Sequence, residues 1–347
     1  MNEQLVELLD ATIETQAFSG VVSIRQHGEI LYERAAGYAD RSNKIANTLD
    51  TRFGIASGTK FFTSLAIGKL IATQKLTLST KLQDCLTLNF PQYSSEITIR
   101  HLLTHTSGIP DYFDEEKIED FDNFSVSRPW YELKGPRDYL EIFPNEPMKF
   151  QPGTRFSYSN GGYILLGVVI EELTGLSYQR YVEQEIFQAI GMKRSGYFAF
   201  NQLPEQTALG YIEEADGWRT NIYNLPIVGA SDGGAYTTVD DLVTLWKAFW
   251  NYEIIPQDLV EIYATPYVKA ETEGKDTYYG HGLWVDMESA GKPKVYIIGG
   301  DAGVSFRSSV ERGSDFQVTV ISNTSNGAWP VLRVIKNTLK TLNGLES

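Results

Sequence analysis

Ser57-Gly58-Thr59-Lys60 sets a hydroxyl and an amine three residues apart, where an extended stretch, Arg52 to Ala56, meets an apolar helix. At that spacing the two side chains share a helical face, one turn apart. The serine then stands at a helix N-terminus, whose dipole favours the negative charge that develops in acyl transfer. A lysine partly desolvated beside it has its pKa lowered towards that of a useful base. Taken alone, Ser-x-x-Lys arises by chance about once in a chain of this size. Ser57 as a helix cap, with Lys60 solvated, is then the simpler reading. Support comes from Phe156-Ser157-Tyr158-Ser159-Asn160, on the loop entering a helix that opens Gly161-Gly162-Tyr163. A tyrosine beside a lysine relays a proton, and an Asn side chain orients both a lysine and a substrate amide. Asn160 also fits the plain role of helix cap.

Other residues offer chemistry that their surroundings argue against. Gly229-Ala230-Ser231-Asp232-Gly233 matches the Gly-x-Ser-x-Gly nucleophile elbow, with His281 downstream. That elbow needs a strand running straight into a helix within repeated β-α units, which the chain lacks, so the glycines read as a turn before a helix at Asp240. His101 and His105 have metal-binding spacing, without the intervening glutamate or a third ligand, and His105 is assigned to loop backbone. Gly299-Gly300-x-x-Gly303 lacks the Lys-Ser/Thr of a phosphate loop. The aromatic and acidic stretch Asp111 to Trp130 reads equally as a loop over a pocket or as a packed surface excursion. No metal and no cofactor is expected.

The elements that must position these groups fall at both ends of the chain and in its middle. Leu5, Leu9 and Ile13 mark an amphipathic first helix. A hairpin follows, Val21 to Gln26 and Glu29 to Ala35 around His27-Gly28. Three strand-like runs close the chain, Lys294 to Gly300, Val304 to Glu311 and Phe316 to Asn323, before a helix from Trp329 to Leu342. Between them, Phe61 to Thr73, Gly161 to Thr174, Tyr178 to Gly191 and Asp240 to Trp250 carry helical periodicity. One antiparallel sheet built from both ends, with the terminal helices on a face, is the economical arrangement. The expectation is an α/β (α+β) fold in a single domain, 1–347. Residues 1–56 and 255–347 form its sheet region, and 57–254 a large inserted, mainly helical region.

Composition narrows the partners. With 44 acidic against 30 basic residues the net charge is −14, which repels nucleic-acid backbones and anionic lipid. The single cysteine, Cys85, excludes an internal disulfide and reads as a small core residue. No apolar run is long enough to span a bilayer. The start, Met1 to Gln16, lacks a signal core, so a cytoplasmic protein is expected if the chain is complete, and an exported one if a leader was removed.

The ordered motifs carry a resemblance. Ser-x-x-Lys followed by Tyr-x-Asn is the signature of serine β-lactamases and penicillin-binding proteins, and the chain looks like the class C β-lactamase and D-alanyl-D-alanine carboxypeptidase branch. Arg52 to Ser57, Ile97 to Pro110, Gly233 to Leu242 and Tyr279 to Trp284 resemble that family's segments in order. The resemblance implies a β-lactamase/transpeptidase-like fold. It also implies a serine hydrolase forming an acyl-enzyme on a β-lactam, a D-amino-acid peptide or amide, or a small ester. Ser57, Lys60, Tyr158 and Asn160 are then catalytic; Gly299 admits the substrate backbone, and the amides of Ser57 and Gly300 form the oxyanion hole. The third motif departs from the pattern. Where the family carries Lys-Thr-Gly or His-x-Gly, this chain has Ile297-Ile298-Gly299. By resemblance the lost cation binds a substrate carboxylate, so its absence tells against penicillins and carboxylate-bearing peptides more than against esters or uncharged amides. No spacing brings His281 or Arg307 to replace it. The rival expectation is a catalytically inactive binding or sensing protein on the same fold.

Overall fold

Runs rich in β-branched and aromatic residues at both ends of the chain build one eight-stranded antiparallel sheet. The computed structural model describes residues 3–88, 90–270, 276–287 and 293–345. β1 (Gly20–Gln26) and β2 (Glu29–Ala36) come from the N-terminal part. β3 (Val268–Lys269), β4 (Thr277–Tyr279), β5 (Trp284–Asp286), β6 (Lys294–Asp301), β7 (Val304–Glu311) and β8 (Phe316–Ser322) come from the C-terminal part. The order is β2-β1-β8-β7-β6-β5-β4-β3. β1 closes the two ends of the chain together, Gly20 opposite Ser322 and Gln26 opposite Phe316.

The period of two along a strand sorts side chains to opposite faces. Val22, Ile24, Val318 and Val320 meet α1 (Glu3–Thr15) and α5 (Ala328–Leu345) through Leu5, Leu9, Ile13, Val331 and Ile335. Val21, Ile297, Phe306 and Ile321 face the other way, into the main core shared with α2 (Thr59–Ala72), α3 (Asn160–Thr174) and α4 (Val239–Trp250). α2 is apolar on nearly every side, as a helix wrapped by other elements must be. Trp246 of α4 donates to Ser308 Oγ of β7 at 2.8 Å, tying the helical region to the sheet.

The hairpin and the last three strands lie within a residue of their expected bounds. β3, β4 and β5 are two or three residues long, too short to show a period, and they complete the sheet on one side. The expected helix from Tyr178 to Gly191 forms and is helical through residue 190, α-helical over Tyr178–Val182 and π-helical over Glu183–Gln188 before a last α-helical turn. The helical region also holds a hairpin, Tyr211–Glu214 with Gly217–Thr220. Cys85 is buried and burial pushes its thiol up to about 11, so it behaves as a core residue. Among the described residues no helix is long and apolar enough to cross a membrane.

Candidate active site

Ser57 is placed by a short strand pairing, Phe53–Gly54 against Tyr236–Thr237. Ala56, with φ of +44°, then turns the chain into a 3-10 turn, Ala56–Gly58, that runs on into α2. Thr59 fixes this corner. Its hydroxyl donates to Ala56 O at 2.7 Å and accepts Ala235 N–H at 2.9 Å. β6 passes so close that a Cβ on Gly299 would sit 2.2 Å from Ile55 O and 2.9 Å from Ser57 N. Only glycine permits this approach. Gly299→Ala is therefore expected to push β6 away from Ser57 and cut kcat/KM about 100-fold. Kinetics beside a thermal melt checks this, since a general loss of fold would lower both together.

Lys60 is 1% exposed and has acceptors on three sides. Its Nζ lies 3.0 Å from Ser57 Oγ, 2.7 Å from Asn160 Oδ1 and 2.6 Å from the carbonyl oxygen of Asp232. Tyr158 and Tyr163 put ring faces towards it, at 4.9 and 5.6 Å. Burial lowers its pKa, against the opposing pull of Asp232, Glu115, Asp111 and Asp301. A neutral amine has two N–H donors and one lone pair. The two carbonyls take the donors, which leaves the lone pair facing the serine. Tyr158 also hydrogen-bonds Ser57; burial, then Glu115, raises its phenol well above the usual range, so it stays protonated.

Asn160 opens α3, but the cap is Ser159, whose hydroxyl accepts Gly162 N–H at 3.0 Å. That leaves the Asn160 side chain free for Lys60, while its Nδ2 donates to Phe113 O at 3.0 Å and Glu115 at 3.2 Å. Asp111 accepts the N–H groups of Asn160, at 2.5 Å, and of Phe113 and Gly161, both at 3.0 Å. It thus pins the aromatic loop to the positive end of a helix. Burial nonetheless raises its carboxyl to about 7. Tyr112 donates to the Asp232 carboxylate, a second tie between that loop and the residue whose carbonyl holds Lys60.

The serine opens on a cavity of two lobes, both bordered by Ser57, Glu115, Gly300 and Asp301. Tyr112, Phe113, Trp130 and Phe198 wall one lobe; Tyr158, Trp284, Ile298 and Trp329 wall the other. The stretch from Asp111 to Trp130 is thus a cavity wall, the first of its two readings.

The structure brings Ser57, Lys60, Tyr158, Asn160, Gly299 and Gly300 together. It leaves no place for the simpler readings, since Lys60 is not solvated and no side chain caps α2. Ile297 is 2% exposed within the main core, and the neighbouring Ile298 reaches the cavity instead. His281 is buried against Tyr263 and Tyr267, and Arg307 pairs with Asp286 over the Tyr296 ring, so neither replaces the missing cation. Ser231 is fully buried beneath α2, where its carbonyl accepts the Thr63 hydroxyl at 2.6 Å. The same glycine-rich loop supplies the Asp232 carbonyl to Lys60, a contribution of backbone that no residue type announces. His105 Nδ1 accepts Ser159 N–H at 3.0 Å, the loop-holding task expected of it. His101 closes a capping box with Thr98.

Comparison with known proteins gives a consistent result. The family model described as Beta-lactamase matches residues 4–341. A penicillin-binding protein from Bacillus halodurans has 44% sequence identity and a TM-score of 0.89, with 95% of this chain and 99% of that one covered. A curated penicillin-binding protein of Bacillus subtilis is 29% identical over 309 residues; the match takes in 84% of this chain but 65% of that longer protein. A D-amino acid amidase from Ochrobactrum anthropi, at 22% identity and a TM-score of 0.81 over 99% of this chain, shares the fold.

Proposed function

The chain belongs to the beta-lactamase family, and from that premise we propose a serine hydrolase acting through an acyl-enzyme on a β-lactam, a D-amino-acid peptide or amide, or a small ester. The observation that carries this reading is the Lys60 amine, buried, with both carbonyl partners satisfied and its remaining position 3.0 Å from Ser57 Oγ. Ser57 Oγ bonds to the substrate carbonyl carbon as its proton passes to Lys60. The amides of Ser57 and Gly300 hold the oxyanion. Collapse breaks the bond to the leaving group, which takes the proton by way of the Tyr158 hydroxyl. Water then attacks the ester with the same pair as base, releasing the acid and restoring the serine. Asn160 holds Lys60 in place throughout.

An inert binding protein is the competing reading. It has no use for a lysine whose burial costs stability, and an apolar residue would relieve that cost. Intact-protein mass spectrometry after exposure to a fluorophosphonate, a penicillin and a p-nitrophenyl ester separates the two. A stable adduct on Ser57, or Ser57-dependent turnover, supports the hydrolase. No adduct and no turnover on folded protein favours the binding module.

A further inference from the structure

In the proposed reaction Tyr158 passes a proton to the leaving group, which requires its hydroxyl to be held at Ser57. A tyrosine on a loop can leave that position by its main chain or by its side-chain torsions. One residue, His105, restrains both. Its backbone oxygen accepts Ser157 N–H at 2.9 Å, and its Nδ1 accepts Ser159 N–H at 3.0 Å. These two bonds bracket Tyr158 in the main chain. The imidazole lies against the Tyr158 ring, with centroids 4.2 Å apart, and meets the Phe156 ring edge to face at 5.8 Å. Tyr163 and Tyr279 pack on the same imidazole at 5.0 and 4.5 Å. His105 thus touches each of the four residues from Phe156 to Ser159.

Two costs set this histidine apart from a simple tie of the loop. Its φ is +55°, in the left-handed region that a residue with a Cβ occupies at a cost. Its ring is held neutral by burial and then by the charge of Lys60. Because Nδ1 accepts, the ring proton is on Nε2, and that donor is buried with no acceptor among the described residues. An unpaired buried donor destabilises the fold. An asparagine would tolerate the same φ and carry an acceptor at the Nδ1 position. What it would lack is the flat surface that lies on Tyr158. His105 is fully buried, and the described residues that border the two lobes do not include it, so it reaches the reaction through Tyr158.

We infer that His105 is a positioning residue for proton transfer to the leaving group. Its carbonyl, Nδ1 and ring together hold the Tyr158 hydroxyl at Ser57. This role rests on Tyr158 serving as the relay. No bond to His105 forms or breaks, and its protonation state is the same throughout. The consequence is a dependence on the leaving group. A group that leaves as a strong base needs a proton as its bond breaks, and one that leaves as a stable anion does not. Loss of the imidazole therefore slows the first and spares the second.

The test compares phenyl acetate with p-nitrophenyl acetate, which share an acyl group and differ in the basicity of the phenoxide. Fluorophosphonate labelling scores Ser57 itself, since fluoride is a weakly basic leaving group. His105→Asn is expected to cut kcat/KM about 30-fold for phenyl acetate and about threefold for p-nitrophenyl acetate, with labelling near the wild-type rate. Tyr158→Phe is expected to discriminate more strongly, and His105→Asn added to it should discriminate no further. Both esters are turned over by the same molecules, so a misfolded fraction cancels from the ratio. His105→Gln, with its amide on a longer chain, is read in the same way if the asparagine prevents folding. Equal losses on both esters, or none on either, leave His105 a tie of the loop alone and overturn the role. So does a discrimination that persists in full in the double variant, because His105 would then act on something other than Tyr158. If Tyr158→Phe itself does not discriminate, the relay has failed and takes the role of His105 with it. A wild type that neither turns over an ester nor labels ends the hydrolase reading and this role together.

Discussion

Ser57→Ala is expected to abolish covalent labelling and to lower kcat/KM for any accepted ester or amide by about 10⁴-fold or more. The size follows from the chemistry. Removing the atom that forms the acyl bond leaves only the oxyanion donors and binding to help water, and those give a small remainder of the whole effect. The fold should scarcely notice. Ser57 caps no helix, and among the described residues its hydroxyl bonds to Lys60 and Tyr158, both of which have other stabilising surroundings. The unfolding free energy should change by less than about 1 kcal/mol. Ser231→Ala is the matched control, because its Gly-x-Ser-x-Gly setting is the strongest competing motif. Its Oγ is buried without a partner and pressed against α3, where a Cβ on Gly167 would lie 2.2 Å from it. Deleting an unpaired buried hydroxyl should leave activity intact and stability equal or slightly higher. Retained activity in Ser57→Ala, or loss confined to Ser231→Ala, would move the nucleophile to the other loop and take the roles of Lys60, Tyr158 and Asn160 with it.

The contrast between those two serines shows what the chain makes readable. Ser57 is legible because its neighbours in sequence are its neighbours in space, Lys60 being one helical turn away. Tyr158 and Asn160 are legible as a second motif, and their meeting with Lys60 across 100 positions follows from resemblance, since no spacing rule reaches that far. The strands at both ends are legible because each is a run rich in β-branched and aromatic residues bounded by turn residues. β3, β4 and β5 are not, being held by neighbours and not by pattern. The carbonyl of Asp232 and the carboxylates of Glu115 and Asp301 are hidden in the sequence for different reasons. A backbone oxygen has no residue type. An acid in a chain of net charge −14 looks like solvated surface until the cavity gathers several of them around one hydroxyl. Ile297 reads as a missing cation, and the fold adds that its side chain belongs to the core, so the cavity is left with Ile298 and the acids.

Lys60→Met separates the Lys60 amine, the proposed base, from its apolar stem. Methionine keeps much of the buried length that packs beneath Tyr158 and Tyr163, and it removes the nitrogen that sits 3.0 Å from Ser57 Oγ. Acylation should fall about 10³-fold or more, since the serine loses the group that takes its proton. In the wild type, kcat/KM should rise with pH through the lowered lysine pKa, as the amine becomes neutral and its lone pair available; the residual rate of the variant should lack that limb. Stability carries an independent signature. The folded lysine binds its proton less tightly than the unfolded one, with its ordinary value of 10.5, so between the folded and unfolded pKa values the unfolded chain holds more protons. Wild-type stability therefore gains with rising pH across that window, and the full cost of the buried charge is present below it. Methionine has no such cost, although it leaves Asn160 Oδ1 and the Asp232 carbonyl without a donor. The melting temperature of Lys60→Met minus that of the wild type should thus decrease as pH rises towards 10.5. A difference that stays flat, with the alkaline rise in kcat/KM intact in the variant, would mean that Lys60 remains fully charged in the folded enzyme and that the proton of Ser57 goes elsewhere.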